Sequence, residues 1–140
     1  MIDEKFITYN QLVGQVKSFS DIVGKIPIKV DVDDSSLRLW FSADTYVYLF
    51  HEQVCCEEVY IDDICGDLND LVGEQLLVAE EVSVDSPAKN NYNDSYTWTY
   101  YRFSTKKGDV TVKWYGTSNG HYSESVNVEI VCNGDRIREY

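Results

Sequence analysis

Residues 95–114 read Ser95-Tyr96-Thr97-Trp98-Thr99-Tyr100-Tyr101-Arg102-Phe103-Ser104-Thr105-Lys106-Lys107-Gly108-Asp109-Val110-Thr111-Val112-Lys113-Trp114. Aromatic and β-branched residues dominate the stretch, and these suit a pleated, half-buried surface. Successive side chains of a strand point to opposite sides, so Tyr96, Trp98 and Tyr100 share one face. Lys106-Lys107-Gly108-Asp109 turns the chain. Val110, Val112 and Trp114 continue as the partner strand. The reading is an antiparallel hairpin, and it points to a mostly antiparallel sheet.

The flanking sequence extends it. Val126, Val128, Ile130 and Cys132 alternate as a last strand, after a loop over residues 116–123 that holds Asn119-Gly120. Residues 86–94 form a loop, with Pro87, Asn90, Asn91, Asn93 and Asp94. Residues 75–84 read as a strand. Further upstream, Ile26, Ile28, Val30 and Val32 alternate against Lys25, Lys29, Asp31 and Asp33. Asp33-Asp34-Ser35-Ser36 reads as a turn. Residues 37–41 and 45–50 complete a three-stranded meander.

Two segments suggest helix. Leu12, Val13, Val16 and Phe19 share a side over residues 8–19, with Gly24 as a stop. Ile61, Ile64, Cys65, Leu68 and Leu71 share a side over residues 61–71, with Gly73 as a cap. Gly14 and Gly66 count against these helices. Val54, Val59 and Ile61 also fit a strand passing through Cys55 and Cys56. Residues 133–140 are expected to be a loose tail. The predicted class is α+β in one domain over 1–140. It has about six to eight mostly antiparallel strands and one or two short helices on one face.

The chain has 140 residues, 44% of them apolar and two of them proline. That is enough to bury a core without a metal or disulfide, and the composition is not that of a disordered chain. No apolar run approaches the length of about 20 residues that spans a bilayer. Met1 to Lys5 carries acids and no apolar signal core. The expected location is therefore the cytoplasm. There Cys55, Cys56, Cys65 and Cys132 are expected to be reduced.

The net charge is −12, and its placement is informative. Residues 39–88 contain no Lys or Arg. They contain Asp44, Glu52, Glu57, Glu58, Asp62, Asp63, Asp67, Asp70, Glu74, Glu80, Glu81 and Asp85, which equal the entire net charge. Such a field repels nucleic acid and attracts cations or basic protein surfaces. The plain alternative is solubility.

Three constellations could carry chemistry. His51, Cys55, Cys56 and Cys65 are zinc-ligand types, but the spacing lacks paired knuckles. Free cysteines in the core are the simpler reading. Glu57, Glu58, Asp62, Asp63, Asp67 and Asp70 could hold a hard cation or do acid–base work. They lack the calcium-loop pattern, so an acidic recognition face is the preferred reading. Trp114, Tyr115, Asn119 and His121 could line a ligand pocket within a loop rich in short polar residues. The simpler reading there is a hairpin loop beside sheet-packing aromatics. There is no Gly-rich phosphate loop and no nucleophile elbow. No cofactor is expected.

A resemblance adds to this. The run from His51-Glu52-Gln53-Val54-Cys55-Cys56-Glu57 through Val59-Tyr60-Ile61-Asp62-Asp63-Ile64-Cys65-Gly66-Asp67 to Gly73, with Ala79-Glu80-Glu81, resembles a family of short proteins encoded mainly by bacteriophages and prophages. Ser95 to Tyr101, Trp114-Tyr115-Gly116, Ser118-Asn119-Gly120 and Tyr122 to Ser125 agree with it. The likeness covers about residues 22–131. It implies no catalytic residue, ligand or cofactor. It implies an accessory role, such as binding and blocking a host protein of a defence system like CRISPR.

The expected function is thus inhibition of a basic host protein through the acidic face, without direct nucleic-acid or membrane binding. Exposed sheet edges are compatible with a homo-oligomer. The alternatives are a sponge for a nucleotide signal and a metal-dependent enzyme using the carboxylates.

Overall fold

The computed structural model describes residues 19–86, 95–132 and 135–139. Nine strands occur among the described residues. They are β1 (Lys29–Val32), β2 (Ser36–Trp40), β3 (Thr45–Phe50), β4 (Glu58–Cys65), β5 (Val78–Ser86), β6 (Ser95–Thr105), β7 (Gly108–Ser118), β8 (Asn127–Cys132) and β9 (Asp135–Glu139). All the pairings are antiparallel. One sheet has the order β1-β2-β3-β8-β9, the other β4-β7-β6-β5.

The expected hairpin is the spine of the second sheet. β6 and β7 pair without slippage from Ser95 opposite Ser118 to Thr105 opposite Gly108. Tyr96, Trp98 and Tyr100 do share a face, but it is the outer one. Tyr101 and Phe103 point inward with Val110, Val112 and Trp114, and all five are buried. In the first sheet Leu37, Leu39, Val47, Leu49, Val128 and Ile130 point inward. Both sets join one continuous core with Leu71, Leu76 and Ala79. Two antiparallel sheets thus close over a shared apolar layer. Each fully buried Leu or Ile in it contributes about 1.5–3 kcal/mol.

The fold is mainly β rather than α+β. The described residues contain two short 3-10 helices, Phe19–Ile22 and Leu68–Leu71, and no α-helix. The expected helix over 8–19 and the loop over 86–94 lie almost wholly outside the described residues. Phe19 itself packs edge-on against Tyr101 and Phe103, at 5.1 and 5.5 Å between ring centres.

The expected helix over 61–71 is absent, and the reason is a β-bulge. The register of β4 against β7 shifts between Ile61 and Asp63. The extra residue lets Ile61 and Ile64, three apart, both pack on the core. A bulge thereby imitates helical spacing. Gly66 then adopts φ +99°, which ends the strand. Asp67 caps the 3-10 helix by accepting the Asn69 N–H at 2.9 Å.

Two further expectations need correction. Residues 135–139 form the edge strand β9, paired with β8, rather than a loose tail. Cys55 and Cys56 lie in a bend before β4, not on a strand, so strand alternation does not separate them. Their sulfurs are bonded to each other; Cys65 and Cys132 are free thiols.

Candidate functional site: the acidic edge of the second sheet

β4 is an edge strand, bonded to β7 on one side only. Glu58, Asp62 and Asp63 are exposed along it, and Asp67 is exposed just beyond. The bulge explains how adjacent Asp62 and Asp63 both reach solvent. The Ile61 N–H donates to the carbonyl of Asp34 at 2.8 Å, which ties the β1–β2 turn to β4. A groove of about 370 Å³ opens between them, lined by Val32, Asp33, Asp34, Ile61, Asp62, Asp63 and Ile64. The Ser35 N–H donates to Asp33 at 2.9 Å and holds its carboxyl below the ordinary range.

Asp33 and Asp34 thus join Asp62 and Asp63 on one surface. In sequence they read only as turn residues, nearly thirty positions away. Their one signal was two adjacent carboxylates within the turn itself.

Not every expected member belongs to this face. Glu57 is buried, 3% exposed. Its carboxylate accepts the Cys55 N–H at 2.8 Å, the Val54 N–H at 3.0 Å and a bond from His51 Nε2 at 2.8 Å. The Cys55 bond is the largest cause of a pKa held down to about 2. Glu57 therefore organises the 51–57 loop from within. Asp70 is half-buried, and its carbonyl accepts the Thr105 hydroxyl at 2.6 Å. Its carboxylate lies where a Cβ on Gly108 would be only 2.8 Å away. The remaining acids of the window scatter. Glu80, Glu81 and Asp85 lie on β5, the opposite edge, where Glu81 accepts the Tyr101 hydroxyl at 2.6 Å.

Bases near the edge are few and engaged. Lys113 Nζ lies 3.9 Å from Asp62 and 4.2 Å from the centre of the Trp98 ring. Lys106 pairs with Glu74 at 3.4 Å, and Lys107 donates to the carbonyl of Val72 at 3.0 Å.

The zinc-type residues are not brought together. His51 uses both ring nitrogens, with Nδ1 2.8 Å from the carbonyl of Ser125. Cys55 and Cys56 hold each other, and Cys65 sits beside Asp63 at 3.6 Å. Among the described residues no group of three or more His, Cys, Asp or Glu is placed to hold a metal ion.

The ligand-loop residues separate as well. Trp114 is a core residue, 1% exposed, while Tyr115 faces outward against Trp98 at 4.6 Å. Asn119 accepts the His121 N–H at 3.0 Å within its own turn. Strand parity separates Trp114 from Tyr115, whose side chains point to opposite faces.

The architecture defines a two-sheet antiparallel β domain with a carboxylate-lined edge. Residues 20–128 match the family described as a domain of unknown function, DUF7448, and the chain belongs to it. No curated protein and no solved structure matches the chain. Among the described residues no helix is long and apolar enough to cross a membrane.

Proposed function

We propose that this protein is a binding module that docks a basic surface of a partner protein on the β4 edge. The observation that carries the reading is the convergence of Asp33 and Asp34 with Asp62 and Asp63 across one groove. Glu58 and Asp67 extend the same sign of charge along it. Carboxylates arranged this way steer a basic partner and fix its register. They also disfavour direct contact with nucleic-acid phosphates.

The resemblance to phage and prophage proteins indicates the partner. It is a host protein in the bacterial cytoplasm whose basic groove handles nucleic acid, as in a defence system such as CRISPR. The acidic edge competes for that groove, and the outcome is inhibition.

The test is a charge-reversal variant, Glu58→Lys with Asp62→Lys and Asp63→Lys. These side chains are exposed, so the fold should survive. Native protein used as bait in a host lysate should retain a basic protein that salt releases. The triple variant should lose it. Retention of the same protein by the variant would remove the β4 edge from the reading.

A further inference from the structure

The inner face of the second sheet changes character toward one end. Around Tyr101, Phe103, Val112 and Trp114 it is apolar. Further along, the same face carries Ser95, Thr97, Gly116 and Ser118. The three hydroxyl residues are 8%, 8% and 5% exposed, so this end of the face is buried although its own side chains are small. The segment after β7 folds back over this end and places Glu124 there. Its carboxylate accepts from the hydroxyls of Ser95 and Ser118, and from Thr97 Oγ1 at 2.9 Å. Gly116 permits the approach: a Cβ there would stand 2.5 Å from the carbonyl oxygen of Glu124.

Thr97 Oγ1 also lies 3.1 Å from Asp85 Oδ1, on β5. A threonine hydroxyl has one hydrogen to donate. Two carboxylates from different segments therefore compete for a single donor. Beside them lies a cavity of about 690 Å³. Asp85, Glu124, Tyr96, Tyr122 and several serines line it. Its size falls within the range of about 300–1,000 Å³ typical of small-ligand sites. Among its described lining residues there is no Lys, Arg or His and no aliphatic side chain.

Among the described residues the cavity carries two carboxylates and no cation. An anionic ligand such as a nucleotide meets two carboxylates and, among the described residues, no counter-charge. An apolar ligand would strand the serines and acids without partners. A cationic head group with several N–H donors matches the two carboxylates, because charge-assisted hydrogen bonds to carboxylates are the strong ones. The hydroxyl bonds and the tight seat on Gly116 hold Glu124 in place before any ligand arrives.

We propose that this cavity binds the ammonium or guanidinium group of an organic cation, with Glu124 and Asp85 as its carboxylate partners. The head group can come from a free polyamine or from a Lys or Arg side chain of another protein. The site lies on the β5 side of the sheet, and the inference does not rest on the β4 edge.

The test is a titration of the full chain followed by amide NMR. The probes are agmatine, spermidine, a blocked Arg-containing tetrapeptide, glucose and a cyclic dinucleotide. The cations should shift the amides of Thr97, Gly120 and Ser125; glucose and the dinucleotide should not. Asp85→Asn removes an exposed charge without touching the Glu124 segment, and should weaken agmatine about tenfold. Glu124→Gln should weaken it at least as much. Binding of the tetrapeptide as tight as agmatine would identify a protein side chain as the source. Binding of the free amines alone would identify a small molecule. No cation-induced shift, equal agmatine affinity in native protein and Asp85→Asn, or glucose binding as well as agmatine would each overturn the proposal.

Discussion

His51 Nε2 lies 2.8 Å from Glu57 Oε2, with the two side chains 3% and 0% exposed. The same imidazole reaches the carbonyl of Ser125 at 2.8 Å, so this pair joins the loop before β4 to the segment before β8. Both partners of the ring are acceptors.

Acid should loosen this junction. Backbone N–H groups of Cys55 and Val54 and the His51 ring hold the Glu57 carboxylate down to a pKa of about 2, from an ordinary 4.5. A lowered folded-state pKa contributes stability above the unfolded value, and this is lost as pH falls through the folded one. Native protein should therefore lose thermal stability between pH 4.5 and about 2. Glu57→Gln should be less stable at neutral pH and should flatten that part of the curve. Parallel curves for the two proteins would show that Glu57 carries no such linkage.

Trp114 offers a second test. It is 1% exposed, and its indole N–H has no hydrogen-bond partner among the described residues. A buried unsatisfied donor costs about 1–3 kcal/mol. Trp114→Phe removes that cost while giving up some packing, so urea unfolding should place it within about 1 kcal/mol of native. Trp114→Ala should cost about 3–5 kcal/mol. Equal losses from both would mean that the N–H is satisfied in solution.

Gly66 and Gly73 separate backbone strain from crowding. Both have positive φ, +99° and +81°. A Cβ at Gly73 would meet nothing within 4 Å, whereas one at Gly66 would collide with the carbonyl oxygen of Asp109. Gly73→Ala should cost about 1–2 kcal/mol, the conformational term alone. Gly66→Ala should cost clearly more, by urea titration, because β7 must move too.

The cysteines separate by reagent. Alkylation of the unfolded protein without reductant should label Cys65 and Cys132 and spare Cys55 and Cys56. Prior reduction should add the latter two. Labelling of all four without reductant would contradict the bond.

Much of the first sheet was legible, because β2 and β3 alternate cleanly and one short turn joins them. The β6–β7 hairpin was legible for the same reason, although which face was buried was not. Two rows alternate on that hairpin, and both contain aromatics. The core took Tyr101, Phe103 and Trp114 and left Tyr96, Trp98 and Tyr115 outside. The β4 region was misread because a bulge and a helix can give the same three-residue spacing. The acidic edge was half legible. Its β4 members stand together in sequence, but Asp33 and Asp34 join them through a tertiary hydrogen bond. The role of Glu57 could not be read, since a carboxylate that gathers backbone N–H groups looks like any other in a list of acids.

The bulge between Ile61 and Asp63 bears on how this chain can change length. In a regular strand, losing one residue turns every later side chain to the opposite face. Here the inward side chains already sit three apart. Removing Asp62 would restore plain alternation and keep both isoleucines inside. β4 is thus a strand that can absorb a one-codon deletion, and what it gives up is one carboxylate of an adjacent pair, not a part of its core.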